Sequence, residues 1–372
     1  MINDKSLRVL VVDDTVVYRM IMSEILSELP DVEVVGSANN GKIALSKIAL
    51  LKPDLLSLDI EMPEMDGLEV LANMKKDFPE VGAIMVSALT YRGGEMTMKA
   101  LELGAFDFIL KPETGSMEEN KQAIRDAFAP MLKAFARHRE IKTILNRGSF
   151  TSALNGKEKR RVDRHEVVQR MKVLSAQRTG KSEIVAIGIS TGGPKALGQV
   201  MPRLPSNLGV PVFIVQHMPP VFTTALAAKL DSECALAVKE AQDGDLVRPN
   251  SVFIAPGGRQ MKIMASPDRE GRIVRITDDP PENSCKPSAD YLFRSVAHLY
   301  GARATGVIMT GMGSDGTSGL KLMKEKGATV IAQDEKTCVV YGMPKEPADA
   351  GIVDVIAPLN RIAEEIVKTI RH

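Results

Sequence analysis

Twice along this chain, short apolar runs alternate with amphipathic stretches of helical spacing, and most of the runs stop at a polar residue. RVLVVDD, VEVVGSA, DLLSLD, GAIMVSA and DFILKP form the first series, between Arg8 and Pro112. Near-continuous apolar runs suit strands covered on both faces, and the helical stretches between them supply crossovers, so five βα units predict a doubly wound parallel sheet. EIVAIGIS opens a second series, continued by VPVFIVQH, ATGVIMTG, ATVIAQD and IVDVIAP. The strand-rich stretch between them, residues 235–278, is expected as an antiparallel insertion in a second, mostly parallel α/β domain. Helical patterning from Met117 reaches about Leu145, after which periodicity fades and charge rises. The expected division is therefore a first domain at 1–130, a linker at 131–182 and a second domain at 183–372.

Charge follows the same division. Lys+Arg against Asp+Glu is 13 against 22 in residues 1–132, 14 against 4 in 133–181, and 21 against 21 in the remainder, beneath a net charge of +1. The basic connector reads first as a solvated linker, with docking to an acidic surface as the alternative, and no nucleic-acid partner is expected. Three cysteines (Cys234, Cys285, Cys338) without a C-x-x-C pair fit a reducing compartment better than a disulfide framework or a zinc ribbon. A signal peptide and membrane insertion are not expected, since no run approaches the roughly 18 apolar residues a span requires. These features point to a cytoplasmic protein.

In an open parallel sheet, ligands bind beyond the carboxyl ends of the strands. Asp13 and Asp14 close the first strand, Asp59 the third, Ser87 the fourth and Lys111 the fifth. Grouped carboxylates repel one another unless a cation joins them, and a small all-oxygen set suits Mg²⁺. Asp59 is then placed to attack a phosphoryl group, with Lys111 and Ser87 contacting its oxygens. Taken singly, these residues have plainer readings, as a helix cap, a turn residue or a surface lysine. Together, in the segments LVVDDT, LLSLDIEMPEMDGLEV, VSA and LKP, they resemble the receiver domain of two-component response regulators, a flavodoxin-like fold. That resemblance implies phosphorylation of Asp59 by a cognate histidine kinase. It further implies Mg²⁺ held by Asp14, Asp59 and the backbone carbonyl of Glu61, Asp13 assisting through water, and a Lys111–Pro112 bond open to the cis form.

The second series carries a different chemistry. Gly188-Ile189-Ser190-Thr191-Gly192 satisfies G-x-S-x-G after a strand, which leaves Ser190 exposed on a sharp turn above a helix N-terminus. A plain anion-binding or tightly packed turn would read the same way. Of five histidines, His138 and His165 lie in the connector, His372 is terminal and His298 sits in a helical stretch; His217 ends the strand VPVFIVQH and shares an edge with Ser190. It is the expected base. Asp315, after another strand on that edge, is the expected orienting carboxylate or, more plainly, a helix cap. The order Ser, His, Asp departs from that of α/β-hydrolases.

GISTGGPKAL, QHMPPVFTTALAAKL, VFIAPGGRQM, CKPSADYLFRSVA, GVIMTGMGSDGTSGLKLMKEKGATVIAQDE and CVVYGMPKEP resemble the catalytic domain of the chemotaxis protein-glutamate methylesterases, the CheB family. The resemblance implies a triad of Ser190, His217 and Asp315, the Met312 amide as oxyanion donor and Thr191 adjoining the nucleophile. It implies methyl-accepting chemotaxis receptors as substrates, glutamine deamidation besides ester hydrolysis, and no cofactor for the hydrolysis. Gln260, where many members carry histidine, and Val221, where glycine is common, depart from the pattern. Gly311-x-Gly313-x-x-Gly316 is also a literal dinucleotide fingerprint, with Asp334 18 residues beyond Gly316. Asp315 inside that loop would repel a pyrophosphate, which leaves a nucleotide-dependent oxidoreductase and a non-catalytic binding module as the lesser readings.

Overall fold

The computed structural model describes residues 6–112, 114–148, 181–267 and 271–371. In the first unit β1 (Leu7–Val12), α1 (Val16–Ser27), β2 (Val32–Ala38), α2 (Gly41–Leu51), β3 (Leu55–Asp59), α3 (Gly67–Asp77), β4 (Gly82–Ser87), α4 (Tyr91–Leu103), β5 (Asp107–Leu110) and α5 (Met117–Gly148) follow one another. The strands form a five-stranded parallel sheet in the order β2-β1-β3-β4-β5. Helices on both faces bury every residue of β3, the polar Ser57 and Asp59 included. Asp66 and Glu69 form a reciprocal capping box at the start of α3. Gly67 must lack a side chain there, because a Cβ would strike the Asp59 carbonyl. Helix α5 continues through Pro130, and Ile124, Phe128, Leu132 and Phe135 join one buried cluster with β1 and α1 residues.

The second unit comprises β6 (Ile184–Ile189), α6 (Gly193–Val200), β7 (Val212–Gln216), α7 (Phe222–Glu233), β8 (Ala237–Glu240), β9 (Ser251–Ile254), β10 (Gln260–Ala265), β11 (Arg272–Thr277), α8 (Ala289–Tyr300), β12 (Ala304–Ile308), α9 (Thr317–Glu325), β13 (Thr329–Gln333), α10 (Lys345–Asp349), β14 (Val355–Ala357) and α11 (Ile362–Arg371). Seven strands form a parallel sheet ordered β14-β13-β12-β6-β7-β9-β8. The antiparallel insertion is smaller than its composition suggested. Among the described strands only β10 and β11 pair antiparallel, with an isolated bridge from Leu246 to Ile273, whereas β8 and β9 extend the main sheet in parallel register. Strand polarity follows the path of the connection, and residues 241–250 return the chain to the same end of the sheet; apolar alternation does not encode that path.

The two units meet along α4 and α7. Gly94 on α4 lies against Val221 and Ala225, Phe108 stacks on Phe222 with centroids 4.6 Å apart, and Glu102 pairs with Lys229. Val339 and Val340 pack against the apolar cluster of the first unit, and Arg137 lies 3.9 Å from Glu335. Val221 adopts φ +72°, a region costly for a β-branched residue, which accounts physically for a glycine preference at this position.

Candidate active site

At the carboxyl edge of the first sheet, Lys111 Nζ donates to Asp59 Oδ2 at 2.7 Å and lies 2.8 Å from Asp13 Oδ2. Asp13 and Asp59 are buried and Asp14 is exposed; the three offer carboxylate oxygens within 4.8 Å of one another. Asp13 Oδ2 has the Lys111 ammonium beside it and no other donor among the described residues. Two buried carboxylates that share one ammonium, with a third carboxylate beside them, fit a hard divalent cation. Burial pushes the Asp59 pKa up to about 6; Lys111 works against this, while Asp13 and Asp14 add to it. A cleft of about 130 Å³ is lined by Asp14, Asp59, Glu61, Ser87 and Lys111. A larger groove, about 500 Å³, lies along α11 and includes none of these residues.

Ser87 Oγ accepts from Thr97 Oγ1 of α4 at 3.1 Å, a connection to the interdomain helix that strand-end reasoning did not anticipate. One expectation is corrected here: the cis peptide bond among the described residues is Lys286–Pro287, and Lys111–Pro112 is not cis. The trans form is the ordinary state of an X-Pro bond, and in it the Tyr18 hydroxyl donates to the Pro112 carbonyl at 3.2 Å.

In the second sheet, β6 and β7 run in register with Ile189 opposite Gln216, so Ser190 and His217 are the next residues on adjacent strands. The His217 amide donates to the Ile189 carbonyl, and the Ser190 amide donates to Thr310 beyond β12. Backbone pairing therefore holds the serine between the ends of β7 and β12. Asp315, 2% exposed, reaches His217 across 98 residues of chain, with Nε2 and Oδ2 2.8 Å apart. Its plainer reading as a cap is half met, since it receives the Ala289 and Asp290 amides at the N-terminus of α8, not of the helix that follows it. Ser288 Oγ and Asn283 Nδ2 also donate to it.

This setting controls both pKa values. Burial works against the Asp315 charge, but the His217 hydrogen bond and charge, with Ser288 and the Ala289 amide, hold Asp315 below its usual range. Burial likewise opposes a charged His217, yet the Asp315 bond, seconded by Cys285, raises it above the ordinary histidine value. An ionised carboxylate only accepts, so the neutral His217 ring carries its proton on Nε2 and presents Nδ1 as the basic nitrogen. Nδ1 faces the Cys285 sulfur at 3.7 Å, and no hydrogen bond joins Ser190 Oγ to His217 among the described residues. The Thr191 and Met312 amides donate to no protein acceptor among the described residues.

Several contributors escaped sequence reasoning. Asn283, Ser288 and Cys285 lie in a segment without strand or helix; the one available signal was Ser288 as N-cap of α8, where it accepts from Tyr291. Gln260 holds this segment in place: its amide donates to the Pro280 and Cys285 carbonyls and accepts from the Ser288 N–H. Asp107 of the first unit stands near Thr191, beside the nucleophile, and burial pushes its pKa up to about 6. The glycine fingerprint does not form a phosphate cradle. Gly311 is covered by Met343 and Ser190, Gly316 lies against Ile308, Phe293 and Ala289, and Asp334 is engaged by Thr337. His298 is exposed, His138 stands 6.0 Å from the Phe106 ring, and His165 and His372 fall outside the described residues.

Residues 9–125 match the family model of the response regulator receiver domain, and residues 185–366 match that of CheB methylesterase. A Desulfotalea psychrophila protein named protein-glutamate methylesterase/protein-glutamine glutaminase is 54% identical over 99% of this chain and 99% of its own length. One of the same name from Bacillus subtilis is 42% identical over 98% of this chain and 99% of its own. Among solved structures, the Thermotoga maritima CheB methylesterase catalytic domain is 41% identical, covering 51% of this chain and 99% of that one with a TM-score of 0.49. The chain belongs to the CheB methylesterase family, in the form that joins a response regulator receiver to the methylesterase domain.

Proposed function

We propose that this protein is a phosphorylation-activated protein-glutamate methylesterase and protein-glutamine glutaminase that acts on methyl-accepting chemotaxis receptors in the cytoplasm. The observation that carries the reading is the Asp315–His217 pair on the same sheet edge as Ser190, in a chain aligned end to end with methylesterase relatives. No helix among the described residues is long and apolar enough to cross a membrane, in keeping with a catalyst that works on the exposed side chains of membrane receptors. The working division is a receiver at 1–130, a linker at 131–182 and a catalytic domain at 183–372; receiver packing extends along α5 to Phe135.

In the hydrolysis, His217 Nδ1 takes the Ser190 proton as Oγ bonds to the γ-carbonyl carbon. The Met312 and Thr191 amides receive the oxyanion. The C–OCH₃ bond then breaks, and the proton on Nδ1 leaves with methanol; for glutamine the leaving group is ammonia. Water, deprotonated by the same nitrogen, frees the acyl group and restores Ser190. Asp315 stabilises the imidazolium at each stage.

On the receiver, Asp59 is the phosphoacceptor for a cognate histidine kinase, and Ser87 and Lys111 contact the phosphoryl oxygens. Asp14, Asp59 and the Glu61 carbonyl would hold Mg²⁺, with Asp13 beside them, and the ion would supply charge neutralisation for the incoming phosphoryl group. Control then passes through α4: a phosphoryl group that takes the Ser87 O–H from the Ala88 carbonyl moves the oxygen to which Thr97 of α4 donates, and α4 is the helix seated on α7. The test is methanol release from methylated receptor membranes, with and without a small-molecule phosphodonor and Mg²⁺. Absence of release in every condition would overturn the reading.

A further inference from the structure

Cys285 stands beside the base without a part in the hydrolysis just derived. Its sulfur lies 3.7 Å from His217 Nδ1, the ring nitrogen that Asp315 leaves free. Tetrahedral zinc, with a Zn–N bond of about 2.0–2.1 Å and a Zn–S bond of about 2.3 Å, separates two such ligands by roughly 3.6 Å. We infer that Cys285 and His217 form a two-ligand site for a thiophilic divalent cation, Zn²⁺ foremost, whose occupancy blocks ester hydrolysis.

The surroundings fit that role. A metal-bound histidine ordinarily gives its other nitrogen to a carboxylate, which fixes tautomer and ring plane. Asp315 already does so from a buried position, and it is itself fixed by Ser288 and the Ala289 amide. Cys285 is also held before any ion arrives: Glu282 and Cys285 exchange backbone hydrogen bonds, and Gln260 donates to the Cys285 carbonyl. Both donors can be reached, since Cys285 is half-buried and the His217 side chain is 14% exposed. The soft sulfur selects Zn²⁺ over Mg²⁺, so the site is chemically separate from the all-carboxylate cluster of the receiver. Binding breaks the Cys285 S–H bond and, where the ring is charged, the His217 Nδ1–H bond, releases those protons to solvent and forms Zn–S and Zn–N bonds. No oxidant is required, and water fills the remaining positions. The Nδ1 lone pair is then unavailable to Ser190. The inhibitory consequence rests on the esterase reading above, while the metal site itself does not.

The test uses the full-length, metal-free protein and two readouts. Co²⁺ should produce a thiolate-to-cobalt charge-transfer band in the near ultraviolet that Zn²⁺ removes. Zn²⁺ should inhibit methanol release, with recovery on adding a chelator. Loss of even an outer partner of a metal site costs about 10–100-fold in affinity, so Cys285→Ser should raise the inhibitory Zn²⁺ concentration at least about tenfold, relative to that variant's own metal-free rate. The band should vanish in Cys285→Ser and His217→Gln and persist in Cys234→Ser. Because a variant can misfold, alkylation of Cys285 in the unaltered protein is followed as well: Zn²⁺ should slow it at least about tenfold and Mg²⁺ should not. A band and zinc sensitivity that survive Cys285→Ser, or alkylation indifferent to Zn²⁺, overturn the inference. A Cys285-dependent band in a protein that hydrolyses no ester upholds the metal site and overturns the esterase reading instead.

Discussion

The acidic cluster of the receiver and the serine edge of the second domain are built alike and charged in opposite ways. Each stands at the carboxyl ends of parallel strands, and each sets a buried aspartate against one basic side chain. In the receiver, two carboxylates share Lys111 with a third beside them, and burial leaves Asp59 with a pKa pushed up to about 6. In the catalytic domain, a single carboxylate receives His217, Ser288 and a helix N-terminus, and is held below its usual range. An identical architecture thus yields one site short of positive charge, which favours a cation, and one already neutralised, which favours an imidazolium. What differs is the number of donors aimed at the carboxylate.

The largest test of this contrast removes the nucleophile. Ser190→Ala should lower methanol release by roughly 10⁴–10⁶-fold without loss of the folded state, with His217→Gln comparable, as expected of groups that act together. Substantial turnover by either folded variant would break the proposed division of labour.

Asp315→Asn should follow, at up to about 10⁴-fold in turnover. Its pH profile is more discriminating. Because His217 is held above its ordinary value, the unaltered protein should gain activity as pH rises through that raised pKa and the ring becomes neutral. Removing the anion should shift the inflection to lower pH as the plateau drops. The stability linkage has a matching sign: the pair stabilises the fold in mid-range, a contribution lost as pH rises through the His217 pKa or falls through that of Asp315.

Asp59→Asn should abolish activation by a phosphodonor yet spare basal hydrolysis, since the two chemistries occupy separate domains. Deleting residues 1 to about 150 should raise activity above that of the intact, unphosphorylated protein if the receiver, docked on α7 with Asp107 beside Thr191, obstructs the serine edge. Equal rates for the two would show that the receiver does not act by obstruction.

Smaller effects sharpen the electrostatic contrast. Mg²⁺ affinity should fall roughly tenfold between pH 7 and 5 as protons claim an Asp59 whose pKa is about 6, which calorimetric titration would measure. Asp107, raised to about 6 by burial beside Thr191, should favour the docked arrangement as pH drops through that value. Asp107→Asn, neutral at every pH, should therefore lower unphosphorylated activity by about two- to tenfold near pH 7.5. An increase would mean that the carboxylate charge helps hold the domains together.

Much of the placement was legible before the fold was known. Asp13, Asp59, Ser87, Ser190, His217 and Asp315 each closed or followed an apolar run, and in parallel sheets such ends converge. The direction of β8 and β9 was not legible, because alternation reports burial and not polarity. Nor were the contacts of Asn283, Cys285 and Ser288, which lie in a segment with no period to read.

By itself, then, the sequence determined two parallel α/β sheets and the edges that carry their polar residues, since hydrophobic period is a local property that each segment expresses alone. Only the tertiary structure decided which nitrogen of His217 faces Asp315, that Cys285 lies opposite the other, and that Asp107 of one domain reaches Thr191 of the next. Those pairings join segments far apart in the chain, and their geometry depends on how loops and helices pack between them, which no local pattern encodes.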